Sequence, residues 1–421
     1  MPAPRSHSLV SLATALLFAT NAALAQDGPG APAWIKPGMR ITFYTSSATT
    51  GSNEILTPDD QAMEKEKQKA QKKADETGEK QEYTYWKNKR GQQYSLNESP
   101  GLSGQGYIQL TIAAIDRATA AIETRQAGID VGSGVVRAPT TTGQIVAADT
   151  GGDYWIHPAR LRQMAGAGTK DVSIRNTTCE LRGRSYQAVQ IRVSNDSGFT
   201  QRIYDATSGV LLRLSSASTR GANAWVPDAG GTAQMGGGGT ILTEGWLIGT
   251  RQLKVPWIGL PAPAWVAKTR TLRYTGTQGA FVPGTGPLGF PLSVRISIRR
   301  TGPGWIEFNE SVEISSPYGQ PPQQTEGTRI AGTNQLGGFW IPPEALTRLQ
   351  PGQQLDDDSV TRVRCTVEAV DAGRVTLLES GTEHQTRYVY DRQTGLLVAT
   401  SQQQQVGATT AQMSVELQSR E

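Results

Sequence analysis

The chain has 421 residues, 37% of them hydrophobic and 19% charged, and a formal net charge of +4. This charge is too small to indicate a nucleic-acid partner, and the length exceeds what one hydrophobic core usually supports, so we expect two or more domains. Only three histidines and two cysteines are present. These are too few for most His-based metal sites or nucleophile pairs, so no metal and no cofactor is predicted.

The first 25 residues are typical of a secretory signal peptide. Arg5 gives a short basic region, an apolar run covers residues 9–19, and Ala23-Leu24-Ala25 offers small residues for cleavage. No stretch of the chain reaches about 18 to 20 apolar residues. We therefore expect cleavage near Ala25 and a periplasmic or secreted protein that does not span the membrane. The alternative is a frayed amino terminus.

The chain contains an internal duplication. The segment YDATSGVL at 204–211 returns as YDRQTGLL at 390–397, which is 186 positions downstream, and Cys179 and Cys365 have the same separation. One single-residue insertion or deletion also aligns Trp155 with Trp340. The duplication predicts two repeats, at 31–254 and 262–421, joined by a short apolar connector.

Each repeat begins with nearly the same five residues, APAWI at 31–35 and APAWV at 262–266. An alternating strand follows at 40–45 and 271–275, and then IQLTI at 108–112 and LSVRI at 292–296 alternate strictly between apolar and polar residues. Such alternation predicts antiparallel strands with one buried face and one solvent-exposed face.

Two short helices are predicted, at 158–164 and 343–349, because Pro is favoured in a first helical turn and apolar residues follow at helical spacing. In the repeated hairpins, Asp205 and Asp391 are expected to cap the turn. Gly209 and Gly395 are expected to supply a positive φ.

The first repeat carries two insertions. Residues 57–94 begin with Thr57-Pro58, which is a helix start, and continue into a Lys-rich stretch with few apolar residues, so a solvated helix is predicted. Residues 222–239 include four consecutive glycines and predict a flexible loop.

Aromatic and basic residues alternate at the end of the longer insertion, a mixture that can stack on a ligand and hold anionic groups. A strand with inward aromatic side chains is the alternative. Trp155 and Trp340 are either core anchors or the wall of a ligand cavity. The candidate ligand- or partner-binding residues are therefore Tyr83, Tyr85, Trp86, Lys87, Lys89, Arg90, Trp155 and Trp340.

The other motifs have ordinary structural interpretations. The pattern G-x-G-x-x-G at 284–289 contains Pro287 and predicts a loop. Asp356-Asp357-Asp358 predicts a solvated turn, with calcium ligation as the alternative, and the scattered arginines predict a solvated face. Cys179 and Cys365 are interpreted as buried free thiols, with a bridge between the repeats as the alternative.

Together these features predict an all-β protein of two tandem antiparallel domains, half-barrel or sandwich-like, each with one short helix. The hairpin resembles hairpins of periplasmic lipoprotein-carrier-like half-barrels over about ten residues per repeat. We expect a non-enzymatic binding or assembly protein of the bacterial cell envelope that holds a hydrophobic or amphipathic ligand in a β trough. Candidate partners are such a ligand, a glycan or an envelope protein. The alternatives are a secreted polysaccharide hydrolase with Asp/Glu catalysis and a structural envelope component.

Overall fold

The structure is a computed structural model that describes residues 29–50, 85–87, 93–95, 101–129, 139–195, 198–220, 225–227, 233–235, 239–282, 286–315, 321–406 and 409–421. It has 65% strand and 5% helix, arranged as two antiparallel sheets with two helices. The expected all-β class and duplicated arrangement are confirmed. The signal segment and most of the longer insertion lie outside the described residues.

The first sheet has nine strands in the order β6-β5-β4-β1-β13-β10-β9-β8-β7. Two short hairpins, β2 with β3 and β11 with β12, accompany it. The strands are β1 (Met39–Thr50), β2 (Tyr85–Lys87), β3 (Gln93–Ser95), β4 (Gly101–Ile115), β5 (Thr119–Ile129), β6 (Thr140–Ala147), β7 (Val172–Leu181), β8 (Arg184–Asn195), β9 (Gly198–Asp205), β10 (Leu211–Arg220), β11 (Trp225–Pro227), β12 (Ala233–Met235) and β13 (Gly239–Gln252).

The second sheet has ten strands in the order β17-β16-β15-β14-β23-β22-β21-β20-β19-β18. The strands are β14 (Thr271–Val282), β15 (Gly286–Gly302), β16 (Trp305–Ile314), β17 (Gln323–Gly332), β18 (Gln354–Asp358), β19 (Val363–Val370), β20 (Arg374–Ser380), β21 (His384–Asp391), β22 (Leu397–Val406) and β23 (Thr409–Arg420).

The two helices begin where Pro predicts them. Helix α1 (Pro158–Met164) coincides with its prediction, whereas helix α2 (Pro343–Leu346) ends earlier than expected and continues as turns. A single 3-10 turn lies at Gly151–Asp153. Among the described residues, no helix combines the length and the apolar character that crossing a membrane requires.

The chain divides into two compact units. One contains the described parts of Thr45–Gln105 and Pro158–Trp246, and the other contains Leu24–Tyr44, Gly106–His157 and Leu247–Glu421. The second unit therefore combines the whole second sheet with β5, β6 and parts of β1, β4 and β13. All the side chains of the candidate site below belong to this second unit.

The repeated hairpins have the expected turn chemistry. Asp205 accepts hydrogen bonds from the backbone N–H groups of Thr207 and Ser208, and Asp391 accepts one from the N–H of Thr394. Gly209 and Gly395 have φ of 78° and 72°, a region that disfavours residues with a Cβ. Local sequence therefore determines both turns.

The core of the second half lies on one face of its sheet. One cluster contains Leu346 of α2 with Val375 and Leu377 of β20, and another contains Trp340 with Leu272 and Ile296. The segment around α2 thus covers part of this face. Cys179 and Cys365 are both buried and free, so the bridge between repeats is not formed.

Two predictions about local structure in the first repeat differ from the structure. Within residues 222–239, where a loop was expected, Trp225–Pro227 pairs with Ala233–Met235. The face of β4 that was expected to meet solvent is buried, because Gln109 and Thr111 are only 5% and 1% exposed. Their counterparts Ser293 and Arg295 in β15 are exposed, as predicted.

Candidate functional site

The inner face of the second sheet, defined here as the face that carries Leu292 and Val415, presents side chains in continuous rows. Directly opposite residues of antiparallel strands project from the same face, so the strand register gives the order of each row. The upper row runs through Phe290, Gln278, Met413, Gln402, Thr386, Glu379, Cys365 and Asp356. The lower row runs through Ile314, Leu292, Gly276, Val415, Thr400, Tyr388, Leu377 and Val367.

One end of these rows is apolar and only partly covered. Val294, Val312, Ile314 and Met413 are half-buried and pack against the core cluster that contains Trp340. The opposite face of these strands carries polar, exposed residues, namely Ser293, Arg295, Glu313, Gln412 and Ser414. Partly covered apolar side chains that continue outward from a core form an apolar floor that a ligand can cover.

The other end of the rows is charged. Arg40 of β1 places its Nη1 2.7 Å from Asp356 Oδ2, and Arg251 of β13 bonds to both Asp356 (2.5 Å) and Asp358 (3.1 Å). Asp358 also accepts a 2.7 Å hydrogen bond from Gln109 Nε2. Polar side chains of β1, β4 and β13 therefore meet the acids of β18.

A second part of this charged cluster surrounds Arg125 of β5. Its Nη1 lies 3.0 Å from Glu379 Oε2, its Nε lies 3.1 Å from Glu123 Oε1, and its Nη2 donates to the carbonyl of Leu336. Glu123 and Glu379 are 6% and 3% exposed. Each buried carboxylate thus has a guanidinium partner, which burial of a charge requires.

Two acids of the cluster, Glu379 and Asp358, are held in their ionised form. Burial alone raises the pKa of Glu379, but the charge and hydrogen bond of Arg125 outweigh this effect and lower that pKa. Burial likewise raises the pKa of Asp358, but Arg251, Gln109 and the N–H of Val360 together lower it. Both groups therefore carry negative charge at neutral pH.

The three arginines of the cluster are not equally compensated. Burial lowers the pKa of Arg125 and of Arg251, yet their acidic partners outweigh burial and the net shift of each pKa is upward. For Arg40 burial is the larger effect, so its pKa falls in spite of Asp356. Its Nε is buried and has no hydrogen-bond partner among the described residues. Arg40 is thus the least satisfied cation of the cluster.

A small cavity lies beside this cluster and has a volume of about 30 Å³. Glu379 and His384 of the second sheet line it from one side. A water molecule needs roughly 10 to 15 Å³ measured in this way, so the cavity holds only a few heavy atoms. The complete lining is Arg40, Tyr107, Gln109, Arg125, Ala127, Pro139, Thr361, Val363, Glu379 and His384.

An open groove of about 400 Å³ lies at the tip of the β18–β19 hairpin. Asp357 in this groove pairs with Arg364 at 3.1 Å, and both side chains are largely exposed. Within the described residues, no group of three or more His, Cys, Asp or Glu side chains has an arrangement that could hold a metal ion.

Of the predicted site residues, the structure describes the side chains of Trp155 and Trp340 only. Trp155 and Trp340 are fully buried, and their Nε1 atoms donate to the carbonyl of Ala148 and to Thr333 Oγ1. Tyr85, Trp86 and Lys87 form the short strand β2, of which only the backbone is described. Tyr83, Lys89 and Arg90 lie outside the described residues.

The charged cluster was not recognised as a site in the sequence. The prediction that Asp356-Asp357-Asp358 forms a solvated turn is wrong, because these residues belong to β18, and Asp356 and Asp358 are 9% and 2% exposed. The prediction of a solvated arginine face is also wrong for Arg40 and Arg125. The only local signal was the strand alternation, which places Asp356 and Asp358 on one face and Asp357 on the other.

Comparisons with known proteins give little further information. No protein-family model matches the chain, and no curated protein is similar to it in sequence. The chain is similar to a solved structure of a protein of unknown function of the DUF3598 family from Nostoc punctiforme, with 9% identity. The similarity covers 90% of this chain and 96% of that chain at a TM-score of 0.14, too low to support any conclusion.

Proposed function

We propose that this chain is an exported, non-enzymatic binding protein of the bacterial cell envelope that holds a hydrophobic or amphipathic ligand on the inner face of its second sheet. The observation that carries the proposal is the half-buried apolar floor formed by Val294, Val312, Ile314 and Met413. Export is supported by the signal-like segment that ends near Ala25.

The strength of the apolar contact limits the ligand class. Complete burial of a Val, Ile or Met side chain is worth about 1.5 to 3 kcal/mol, so covering a half-buried one gains on the order of 1 kcal/mol. Four such side chains give on the order of 4 kcal/mol, which corresponds to roughly millimolar affinity. A ligand held more tightly must also use polar groups, and this favours an amphipathic molecule over a pure hydrocarbon.

The charged cluster favours binding over hydrolysis. Polysaccharide hydrolysis requires one carboxylic acid that remains protonated and donates its proton to the leaving group. Asp358 and Glu379 instead have lowered pKa values and are bonded to arginines. Neither is therefore suited to act as a general acid.

The first test is extraction of the protein, purified after export, with organic solvent and mass spectrometry of the extract. We expect an amphipathic small molecule in stoichiometric amount. The second test is titration with a dye whose fluorescence rises in apolar surroundings, using the variants Val312→Thr and Met413→Gln, which keep side-chain size and remove apolar character.

These variants are expected to weaken dye binding severalfold in combination. The matched control is Gln412→Met together with Glu313→Gln. Gln412 is next to Met413 in the chain and Glu313 is next to Val312, and both are exposed on the opposite face of the sheet. Equal loss in both pairs, or an empty extract and no dye binding, would refute the proposal.

A further inference from the structure

The cavity at the charged cluster and the apolar floor lie on the same face of the second sheet. Glu379 lines the cavity, and along the upper row Thr386 and Gln402 lead from it to Met413. His384, which also lines the cavity, lies directly opposite Gln404 on the same face. A ligand on this face therefore reaches apolar side chains at one end and buried guanidinium groups at the other.

The unsatisfied group at the cavity is a donor. Arg40 is 4% exposed, lines the cavity and has a buried Nε without a hydrogen-bond partner among the described residues. Its one described acidic partner, Asp356, is shared with Arg251. A buried donor without a partner costs about as much as a lost hydrogen bond, so the site is chemically complete only when an acceptor is present.

We propose that this cavity is a carboxylate subsite, which receives the head group of a single-chain, fatty-acid-type amphiphile whose chain lies on the apolar floor. This inference rests on the proposed function. The carboxylate accepts from Arg40, and the chain runs across β22, β23, β14 and β15 toward β16.

The dimensions agree with this ligand class. A cavity of about 30 Å³ accommodates a carboxylate but excludes sugars and phosphodiester head groups. Five strand spacings separate β21 from β16. At about 4.8 Å each they span about 24 Å, which suits a long acyl chain.

The described cluster holds four carboxylates and three guanidinium groups, so a bound carboxylate depends on direct contact with Arg40 and not on an excess of positive charge. Glu379 lines the same cavity, but both of its oxygens accept from Arg125, which reduces its repulsion of a second anion. A cationic head group would instead face the guanidinium groups of Arg40 and Arg125 in a poorly solvated space, where like charges repel strongly.

The decisive experiment uses the wild-type protein and three ligands with the same chain, namely palmitate, hexadecanol and hexadecyltrimethylammonium. Their affinities are measured by displacement of the apolar fluorescent dye at about pH 8, where a carboxyl group is ionised. We expect palmitate to bind at least about tenfold more tightly than hexadecanol, because hydrogen bonds to charged groups are the strong ones. The ammonium compound is expected to bind no more tightly than hexadecanol.

A variant tests whether Arg40 causes the preference for palmitate over hexadecanol. Arg40→Lys keeps the charge opposite Asp356 but removes the Nε–H donor, and it is expected to abolish most of the difference between palmitate and hexadecanol. Arg273→Lys is the matched control, since Arg273 is an exposed arginine in the equivalent strand β14 and should leave the difference unchanged. Circular dichroism checks that each variant is folded, and if Arg40→Lys does not fold, the wild-type comparison decides alone.

The outcomes separate the two proposals. Equal affinity for palmitate and hexadecanol, or tighter binding of the ammonium compound, would overturn the carboxylate subsite and leave the apolar floor intact. Absence of binding by all three ligands would overturn the proposed function and the subsite together. A palmitate preference that persists unchanged in folded Arg40→Lys would refute the role of Arg40.

Discussion

Strands β4 and β15 are equivalent in the two repeats and share the same alternation, yet their polar residues have opposite surroundings. Gln109 and Thr111 in β4 are buried, whereas Ser293 and Arg295 in β15 are exposed. Alternation therefore determines which residues share a face of the sheet. It does not determine what that face meets.

The difference arises from contacts that are distant in sequence. In the compact unit that contains the second sheet, Gln109 bonds to Asp358, which is 249 positions away, and Arg40 bonds to Asp356, which is 316 positions away. The corresponding face of β14 and β15 carries Arg273 opposite Arg295, and both are exposed. Duplication has thus produced one polar face that is paired with acids and one that faces solvent.

The largest expected effect on stability comes from removing a cation from the polar face that is paired with acids. Arg125→Met leaves Glu123 and Glu379 buried without their cation and should lower the free energy of unfolding by about 3 to 5 kcal/mol. Arg295→Met, at an exposed position in β15, should change it by no more than about 0.5 kcal/mol. The midpoint of urea unfolding measures both. Similar midpoints for the two variants would contradict the contrast between these faces.

A smaller effect is expected at the sheet edges. A Cβ added at Gly143 of β6 would stand 2.1 Å from the backbone nitrogen of Ile330 in β17, whereas one at Gly327 of β17 would meet no atom within 4 Å. Gly143→Ala should therefore cost about 1 to 3 kcal/mol, because the strands must move apart. Gly327→Ala should be neutral or slightly stabilising. Thermal unfolding compares the pair, and an unchanged melting temperature for Gly143→Ala would show that this close approach is wrong.

The third effect is a dependence on pH. The pKa values of Asp358 and Glu379 are lower in the folded protein, so their ionised forms stabilise it above the unfolded values near about pH 4. This contribution is lost as the pH falls through the lowered pKa values. Urea unfolding between neutral pH and about pH 3 should show a decline that is less steep in Glu379→Gln than in Glu313→Gln, which changes an exposed acid. Parallel profiles in the two variants would show that Glu379 is not the source of this decline in stability.

The sequence was sufficient to predict an element wherever the interactions that form the element are local. The turns at Gly209 and Gly395 follow from residues within a few positions, and α1 and α2 both begin at the expected proline. The core positions of the strands follow from period-two alternation, because apolar residues must leave water whichever partner covers them.

The candidate site could not be predicted, because the contacts that form it join residues that are distant in sequence. A polar residue on an alternating strand is ordinarily solvated, and nothing near Arg40 or Asp356 in the chain indicates that each has a buried partner of opposite charge. Asp358 illustrates the point, since its bonds to Val360 and Thr361 are local and turn-like, whereas those to Gln109 and Arg251 are not. Only the local half of its environment was accessible to sequence reasoning.

Cys365 lies directly opposite both Asp356 and Glu379, and this position makes it a built-in reporter of local opening. Burial, with a contribution from Glu379, raises the pKa of its thiol to about 12, so almost no thiolate exists in the closed structure at neutral pH. Alkylation then requires separation of the hairpin formed by β18 and β19. The labelling rate of Cys365, resolved from that of Cys179 by peptide mass spectrometry, would follow how often that hairpin opens, without any engineered probe.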